Sequence, residues 1–237
     1  MATRFVVQAP VPAVDSVLTL RTLDLSVNSL KQLPSLAPLS RLKTLKLQGN
    51  KLVALPDLTC LPALLDLNAA RNELGLGGDA VPCLPTTLSK LDLSSNKLSQ
   101  VPAALAAGLP ALQICNLSSN AITSLAGLGG LPALEELLAD DNQIAVIEPS
   151  IRELRRLKTL SLRSNCIGSD LSRGQPLAQE LFECTAVVVL NLEGNVITKT
   201  QLLDMQGVSK FMERRERSKD KSLAGGALLN FSLCGLD

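Results

Sequence analysis

The sequence predicts an α/β solenoid, with short parallel strands forming a curved sheet on the concave side and turns or short helices returning along the convex side. Three observations lead to this prediction. One eleven-residue pattern recurs eight times along the 237 residues. Within the pattern, apolar and polar residues alternate as they do in a half-buried strand. The core must be aliphatic, because 46% of the residues are hydrophobic and only 2% are aromatic.

Each copy of the pattern contains an asparagine at the same position. In the first copy, LRTLDLSVNSL at 20–30, Leu23 and Leu25 point to one side of the strand. The asparagines are Asn28, Asn50, Asn72, Asn96, Asn120, Asn142, Asn165 and Asn195. They are separated by 22, 22, 24, 24, 22, 23 and 30 residues, within or just beyond the period of leucine-rich repeats. The sequence therefore predicts eight such repeats over residues 18–198.

The repeats must stack, because one short strand cannot bury its apolar side alone. Stacking pairs the strands in parallel, about 4.8 Å apart. The asparagine follows each strand where the chain turns inward, and its amide can satisfy buried backbone groups there, so we expect a structural role for it. The segments between strands combine aliphatic residues with prolines. In the longest of them, a helix is predicted from Pro176 with Leu177, Leu181 and Phe182 packed inward.

Both ends of a solenoid expose its core unless another segment covers them. Residues 1–17 are predicted to be the N-terminal cap, as a degenerate first repeat. Residues 199–221 are predicted to form a C-terminal capping helix, which Gly207 could kink or divide. Residues 222–237 are predicted to be a flexible tail, although several of them are apolar enough to dock.

The charge of the chain predicts that nucleic acid is not a partner. With 23 basic and 22 acidic residues, the net charge is +1, so there is no overall field to attract a polyanion. Residues 214–221 hold a basic cluster, but acidic residues alternate with the basic ones, which favours a solvated helix. The alternative is a patch for phosphates or lipids, and it predicts a steep salt dependence of binding.

The sequence predicts a cytoplasmic protein. Its N-terminus has no apolar run long enough for a signal peptide, and no later segment approaches the roughly 20 apolar residues of a membrane span. The six cysteines are far apart and form no CxxC pair, so we expect reduced thiols rather than disulfides.

No catalytic centre is predicted. The chain contains no histidine, tyrosine or tryptophan, which removes the usual general base and the nucleophile triads that depend on it. Cys115 occupies a core position of its strand, where a small buried hydrophobe is expected. The glycine-rich segments at 75–79 and 127–132 lack the lysine of a phosphate-binding loop. We therefore expect no enzymatic activity, no cofactor and no metal.

The concave face of the sheet is the predicted functional surface. Ile114 and Leu138 face outward there beside Glu136, Asp140 and Asp141, which makes a patch suited to a basic or amphipathic segment of a partner. The candidate partner-binding residues are Lys46, Asp66, Asp92, Ile114, Glu136, Leu138, Asp140, Asp141 and Arg163. The alternative is that the apolar residues are scattered there without a function, because repeat proteins tolerate them.

These observations predict a monomeric, non-catalytic scaffold or adaptor that binds a protein partner. A second hypothesis is a regulatory subunit of a signalling enzyme, such as a phosphatase or a small GTPase, and it depends on analogy between folds alone. The hypotheses differ in what copurifies, because only the second predicts a catalytic subunit.

The C-terminal third resembles a specific family. NCI at 165–167, LNLEGNVI at 190–197 and MQGVSKFMERRER at 205–217 are similar to the end of the leucine-rich repeat-containing protein 57-like family. The resemblance implies a bare repeat module without an enzymatic domain. Members of that family can begin with Met-Gly, whereas this chain has Ala2, which excludes N-myristoylation, so no membrane anchor of that kind is expected.

Overall fold

The computed structural model describes residues 19–76, 81–169, 174–224 and 234–236, and side chains up to residue 218 and at 234–236. It has one eight-stranded sheet in which the strands follow chain order. The strands are β1 (Thr22–Asp24), β2 (Thr44–Lys46), β3 (Asp66–Asn68), β4 (Lys90–Asp92), β5 (Ile114–Asn116), β6 (Glu136–Leu138), β7 (Thr159–Ser161) and β8 (Val189–Asn191). All neighbours are parallel and in register, so that Leu45 aligns with Leu23 and with Leu67. The predicted leucine-rich-repeat solenoid is confirmed.

The convex side carries short helices in the later repeats. They are α1 (Ala103–Ala106), a 3₁₀ helix at Leu128–Gly130, a second 3₁₀ helix at Pro149–Glu153 and α2 (Gln179–Glu183). The expected helix of the long repeat is present, and its Leu177, Leu181 and Phe182 are buried. It begins at Gln179, three residues after Pro176. The earlier repeats return through turns, as their prolines predict.

The core is a stack of aliphatic layers between the sheet and the convex segments. The central residue of each strand is buried, and both of its strand neighbours are more exposed in seven of the eight strands. In β7 the third residue, Ser161, is also buried. Short strands suffice because each one buries only one or two leucines against the layers above and below.

The recurring asparagines bond adjacent repeats together. The Nδ2 of Asn72 donates to the carbonyl of Ala69 at 3.1 Å, in its own repeat, and to that of Leu47 at 3.0 Å, in the preceding one. Its Oδ1 accepts from the amide of Leu52 at 3.1 Å. The same arrangement recurs at Asn50, Asn96, Asn120, Asn142, Asn165 and Asn195. The predicted structural role of these residues is confirmed.

Two helices cover the C-terminal end where one was predicted over 199–221. They are α3 (Lys199–Leu203) and α4 (Val208–Ala224). The chain breaks between them at Gly207, whose φ of +83° is unfavourable for other residues. Val208 and Phe211 are buried against the last repeat, whereas Leu203 in α3 is 48% exposed.

Cys234–Leu236 lie against the last strand, within the segment predicted as a flexible tail. The amide of Leu192 donates to the carbonyl of Cys234 at 2.8 Å. In the preceding repeat, the equivalent amide of Leu162 donates to Asn191 of the next strand at 2.9 Å. Cys234 therefore takes the place of a residue in a ninth strand. The rest of the predicted tail from 225 to 233, residue 237 and the predicted cap at 1–17 lie outside the described residues.

Candidate functional site

The sheet brings three of the predicted site residues together on β5 and β6. Ile114 aligns with Glu136 across the two strands, and Leu138 is two residues further along β6. All three are half-buried, with the strand leucine between Glu136 and Leu138 turned into the core. Neighbouring strands lie about 5 Å apart, so these side chains form one continuous patch. We call Ile114, Glu136 and Leu138 the concave patch.

Glu136 supplies an available negative charge in the concave patch. Its carboxylate has no ion pair or hydrogen bond with any residue that the structure describes. The adjacent Glu135 differs, because Lys158 lies 2.7 Å from its Oε2. That hydrogen bond and charge hold the pKa of Glu135 below its usual value. Glu136 can therefore pair with a cation from outside the molecule.

Three predicted residues lie along the sheet from the concave patch rather than within it. Lys46, Asp66 and Asp92 are on β2, β3 and β4. Asp92 stabilises the turn that follows its own strand, because its Oδ1 accepts from the amide of Ser94 at 2.9 Å. Asparagines at the same strand position in other repeats bond in the same way. Lys46 is 3.8 Å from Asp24, an ion pair between partly exposed groups that contributes little.

Asp140 has a structural role that the sequence analysis missed. Ser161 stands where five of the other seven repeats have Asp or Asn, and it does not supply the acceptor for the amide of Arg163. Asp140 of the preceding repeat replaces it: its Oδ1 accepts from the Arg163 amide at 2.8 Å and from Ser161 Oγ at 2.6 Å. A substitution at Asp140 would therefore disturb the packing of two repeats, and any loss of binding would be ambiguous.

Asp141 and Arg163 lie at the rim beyond the strands. Asp141 has a φ of +53° and belongs to the turn that follows β6. The Nε of Arg163 is 3.1 Å from a carboxylate oxygen of Glu193 on the next repeat, and both side chains are about half exposed. The sequence placed all these residues on one surface, but the pairing of Arg163 with Glu193 appears only once the last two repeats are stacked.

The helix that carries the basic cluster is bonded to the solenoid through Lys210, which precedes the cluster, and through Arg214 within it. Lys210 Nζ donates to Glu183 at 2.9 Å and lowers the pKa of that carboxyl group. Arg214 donates to the carbonyl of Val187 at 3.2 Å, and burial lowers its pKa. Arg217 pairs with Glu213 one helical turn away. These contacts favour the structural interpretation of the cluster over a phosphate or lipid patch.

Cys115 is buried in the core, as predicted, and its burial raises the pKa of the thiol to about 12. Cys83 and Cys184 are exposed. Within the described ranges, no group of histidine, cysteine or acidic side chains could hold a metal ion. In the same ranges, no helix is both long and apolar enough to cross a membrane.

We expect a thiol reagent at pH 8 to modify Cys83 and Cys184 quickly and Cys115 hardly at all. The thiolate is the reactive form, and a pKa raised to about 12 leaves little thiolate at Cys115 at this pH. Mass spectrometry of labelled peptides would measure the rate at each site. The urea-unfolded chain is the control, in which all six cysteines should react. Equal rates at Cys115 and Cys184 in the folded protein would contradict the structure.

Comparisons with known proteins agree with this geometry. The family model described as Leucine rich repeat matches residues 86–144, which include the concave patch. The chain is 38% identical over 104 residues to human geranylgeranyl transferase type-2 subunit alpha, covering 43% of this chain and 18% of that protein. It is 32% identical over 108 residues to human leucine-rich repeat-containing protein 58, covering 46% and 23%. The matched segments therefore span less than a quarter of these relatives.

A solved structure is similar over most of the chain. The LRR protein of Leptospira interrogans superposes with a TM-score of 0.55 and 24% sequence identity, covering 89% of this chain and 54% of that one. At 24% sequence identity, this similarity shows a shared fold and nothing about function.

Proposed function

We propose that this leucine-rich-repeat solenoid is a non-catalytic scaffold or adaptor that holds a protein partner on the concave face of its sheet. The observation that carries the proposal is the concave patch, where two apolar side chains lie beside a carboxylate that has no partner among the described residues. Repeat solenoids offer extended concave surfaces of this kind to their partners.

The chemistry of the concave patch selects a basic, amphipathic segment of the partner. An apolar side chain of that segment would cover Ile114 and Leu138, and a neighbouring lysine or arginine would pair with Glu136. Partial desolvation by the apolar contacts would strengthen that ion pair. The chain has no tryptophan or tyrosine, the residues that dominate the tightest interfaces, so we expect moderate affinity. Lys46, Asp66, Asp92, Asp141 and Arg163 would extend the contact along the sheet and its rim.

The test is quantitative affinity purification with the wild type, Glu136→Lys and Asp66→Lys. Glu136→Lys should reduce retention of the main partner roughly tenfold, because it places a positive charge opposite the partner's own. Asp66→Lys is the comparison variant. It makes the same charge change on the same face of the sheet, but three strands away at the margin of the proposed contact, so it should reduce retention much less than Glu136→Lys does. Asp140 is left intact because its carboxylate holds two repeats together. Equal retention by all three proteins would contradict the proposed site.

A regulatory subunit of a signalling enzyme is the alternative function. It is favoured by the 38% identity to a segment of human geranylgeranyl transferase type-2 subunit alpha, a subunit of an enzyme. If it is correct, a catalytic subunit should copurify in stoichiometric amount, and its activity should change when the solenoid is removed. A partner without enzymatic activity would favour the scaffold.

We further infer a cytoplasmic monomer that does not bind nucleic acid. The free cysteines suit a reducing compartment, and the near-neutral charge does not favour polyanions. Kinship with the leucine-rich repeat-containing protein 57-like family is proposed on the C-terminal motifs alone.

A further inference from the structure

An open groove lies on the convex side, between the 3₁₀ helix Pro149–Glu153 and the end of α2. Its volume is about 850 Å³, and its lining residues are Arg152, Glu153, Arg155 and Cys184. The two arginines come from one short segment, and Cys184 follows α2 directly. The groove is on the opposite side of the solenoid from the concave patch, so it is separate from the proposed partner site.

Both arginines of the groove are available to a ligand. Arg152 and Arg155 are exposed, and neither has an ion pair or side-chain hydrogen bond with a residue in the described ranges. Their neighbours on the convex side differ in this respect, since Lys210 is paired with Glu183 at 2.9 Å. Both guanidinium groups line the same groove, so an anion bound there is attracted by two positive charges.

The carboxylates around the groove are mostly occupied elsewhere. Glu148, at the start of the 3₁₀ helix, accepts from Ser124. Glu183, at the end of α2, accepts from Lys210 at 2.9 Å and from Gln179 at 2.9 Å. The carboxylate of Glu153 lies against Gly129, where a Cβ atom would come within 1.8 Å of its Oε2. Glycine at 129 therefore leaves room for Glu153 to turn toward the preceding repeat.

We propose that this groove is a second docking site, which binds a phosphorylated serine or threonine on a segment of a protein partner. A phosphate carries close to two negative charges at neutral pH and three acceptor oxygens, so one group can bridge two guanidinium groups. Arginine is suited to this role because its planar donors can pair with phosphate oxygens in a bidentate manner. A carboxylate ligand is less suited to the groove than a phosphate. It has only two acceptor oxygens, and its single charge gains about half as much attraction to the arginines to offset its repulsion by Glu153.

A membrane surface fits the groove less well than a peptide does. Anionic lipids require a broad basic surface, whereas Glu153 and Glu183 border the two arginines here. A peptide chain can enter the groove with one phosphate and leave these acidic side chains in water. The charge of the groove is also opposite to that of the concave patch, so the two surfaces would bind different segments.

The test is a fluorescence anisotropy titration of the full chain with a labelled peptide of glycine and serine that carries one phosphoserine. The unphosphorylated peptide is the ligand control. We expect saturable binding of the phosphopeptide only, with competition by inorganic phosphate. The variant Arg152→Ala/Arg155→Ala should weaken binding by about tenfold or more, because it removes two charge-assisted contacts. Glu153→Gln should strengthen binding severalfold, since it removes the nearest negative charge.

Arg156→Ala is the matched protein control, because Arg156 follows Arg155 in sequence but acts on Glu135 near the sheet. It should leave phosphopeptide binding unchanged. No saturable binding of the phosphopeptide up to the millimolar range would overturn the proposal. So would equal binding of both peptides, equal affinity of the double variant and the wild type, or vesicles with phosphorylated lipids binding in place of the peptide. Capture at the concave patch does not depend on any of these results.

Discussion

Replacing Asn72 with alanine should lower the free energy of unfolding by about 2 to 4 kcal/mol, because it leaves the buried amide of Leu52 without an acceptor and removes further hydrogen bonds to carbonyl groups. The side chain is 5% exposed and makes four hydrogen bonds to backbone groups of two repeats, at 3.0 to 3.2 Å. Alanine removes all four. The carbonyls of Leu47 and Ala69 still accept from the asparagines of the neighbouring repeats, but the amide of Leu52 is left without an acceptor among the described residues. Urea unfolding followed by circular dichroism would measure the change.

Asn28→Ala is the matched control for this prediction. Asn28 occupies the same position in the first repeat, but it is half-buried, and its Nδ2 donates to the carbonyls of Leu25 and Ser26 in its own repeat. We expect a loss of about 1 kcal/mol there, since these bonds are local and partly accessible to water. Similar losses for the two variants would show that the bonds between repeats contribute little.

Phe211→Ala should cost about 3 to 5 kcal/mol, the usual range for truncating a buried phenylalanine. Phe211 is fully buried, and its ring centroid lies 5.9 Å from that of Phe182. The damage should be local because each repeat contacts only its neighbours. Hydrogen exchange should therefore rise in α2, α4 and β8, while β2 to β4 keep their protection.

Two variants control the Phe211 experiment. Phe211→Leu keeps most of the buried volume, so its effect should be clearly smaller than that of the alanine variant. Leu203→Ala removes an apolar side chain from the same end of the solenoid, but from a position that is 48% exposed, so a change within about 0.5 kcal/mol is expected. Uniformly faster exchange along the whole sheet would contradict the local unfolding that we predict.

The repeat pattern predicted the sheet well because each repeat meets the same physical requirement. A strand must bury its central residue, and an asparagine must close the turn that follows, so LRTLDLSVNSL alone places both β1 and Asn28. The concave patch was predictable for the same reason, since the alternation of strand residues assigns Ile114, Glu136 and Leu138 to one face.

Features that depend on exceptions to the pattern could not be predicted in the same way. The role of Asp140 arises because Ser161 lacks the carboxylate or amide acceptor that most repeats have at its position, and this matters only when the two repeats are adjacent. The groove lined by Arg152 and Arg155 was missed because its other side is formed by Cys184, which is distant in sequence. The only signal in the sequence was an arginine-rich segment, IRELRR at 151–156, between two strands.

The contact of Cys234 with Leu192 has a consequence for how molecules of this protein meet one another. The outer edge of a parallel sheet presents backbone groups that can pair with the sheet of another molecule and start an open-ended filament. Here the amide of Leu192 is already bonded to Cys234 of the same chain. At high protein concentration, this end of the solenoid should resist fibre growth, because an incoming strand must first displace Cys234–Leu236.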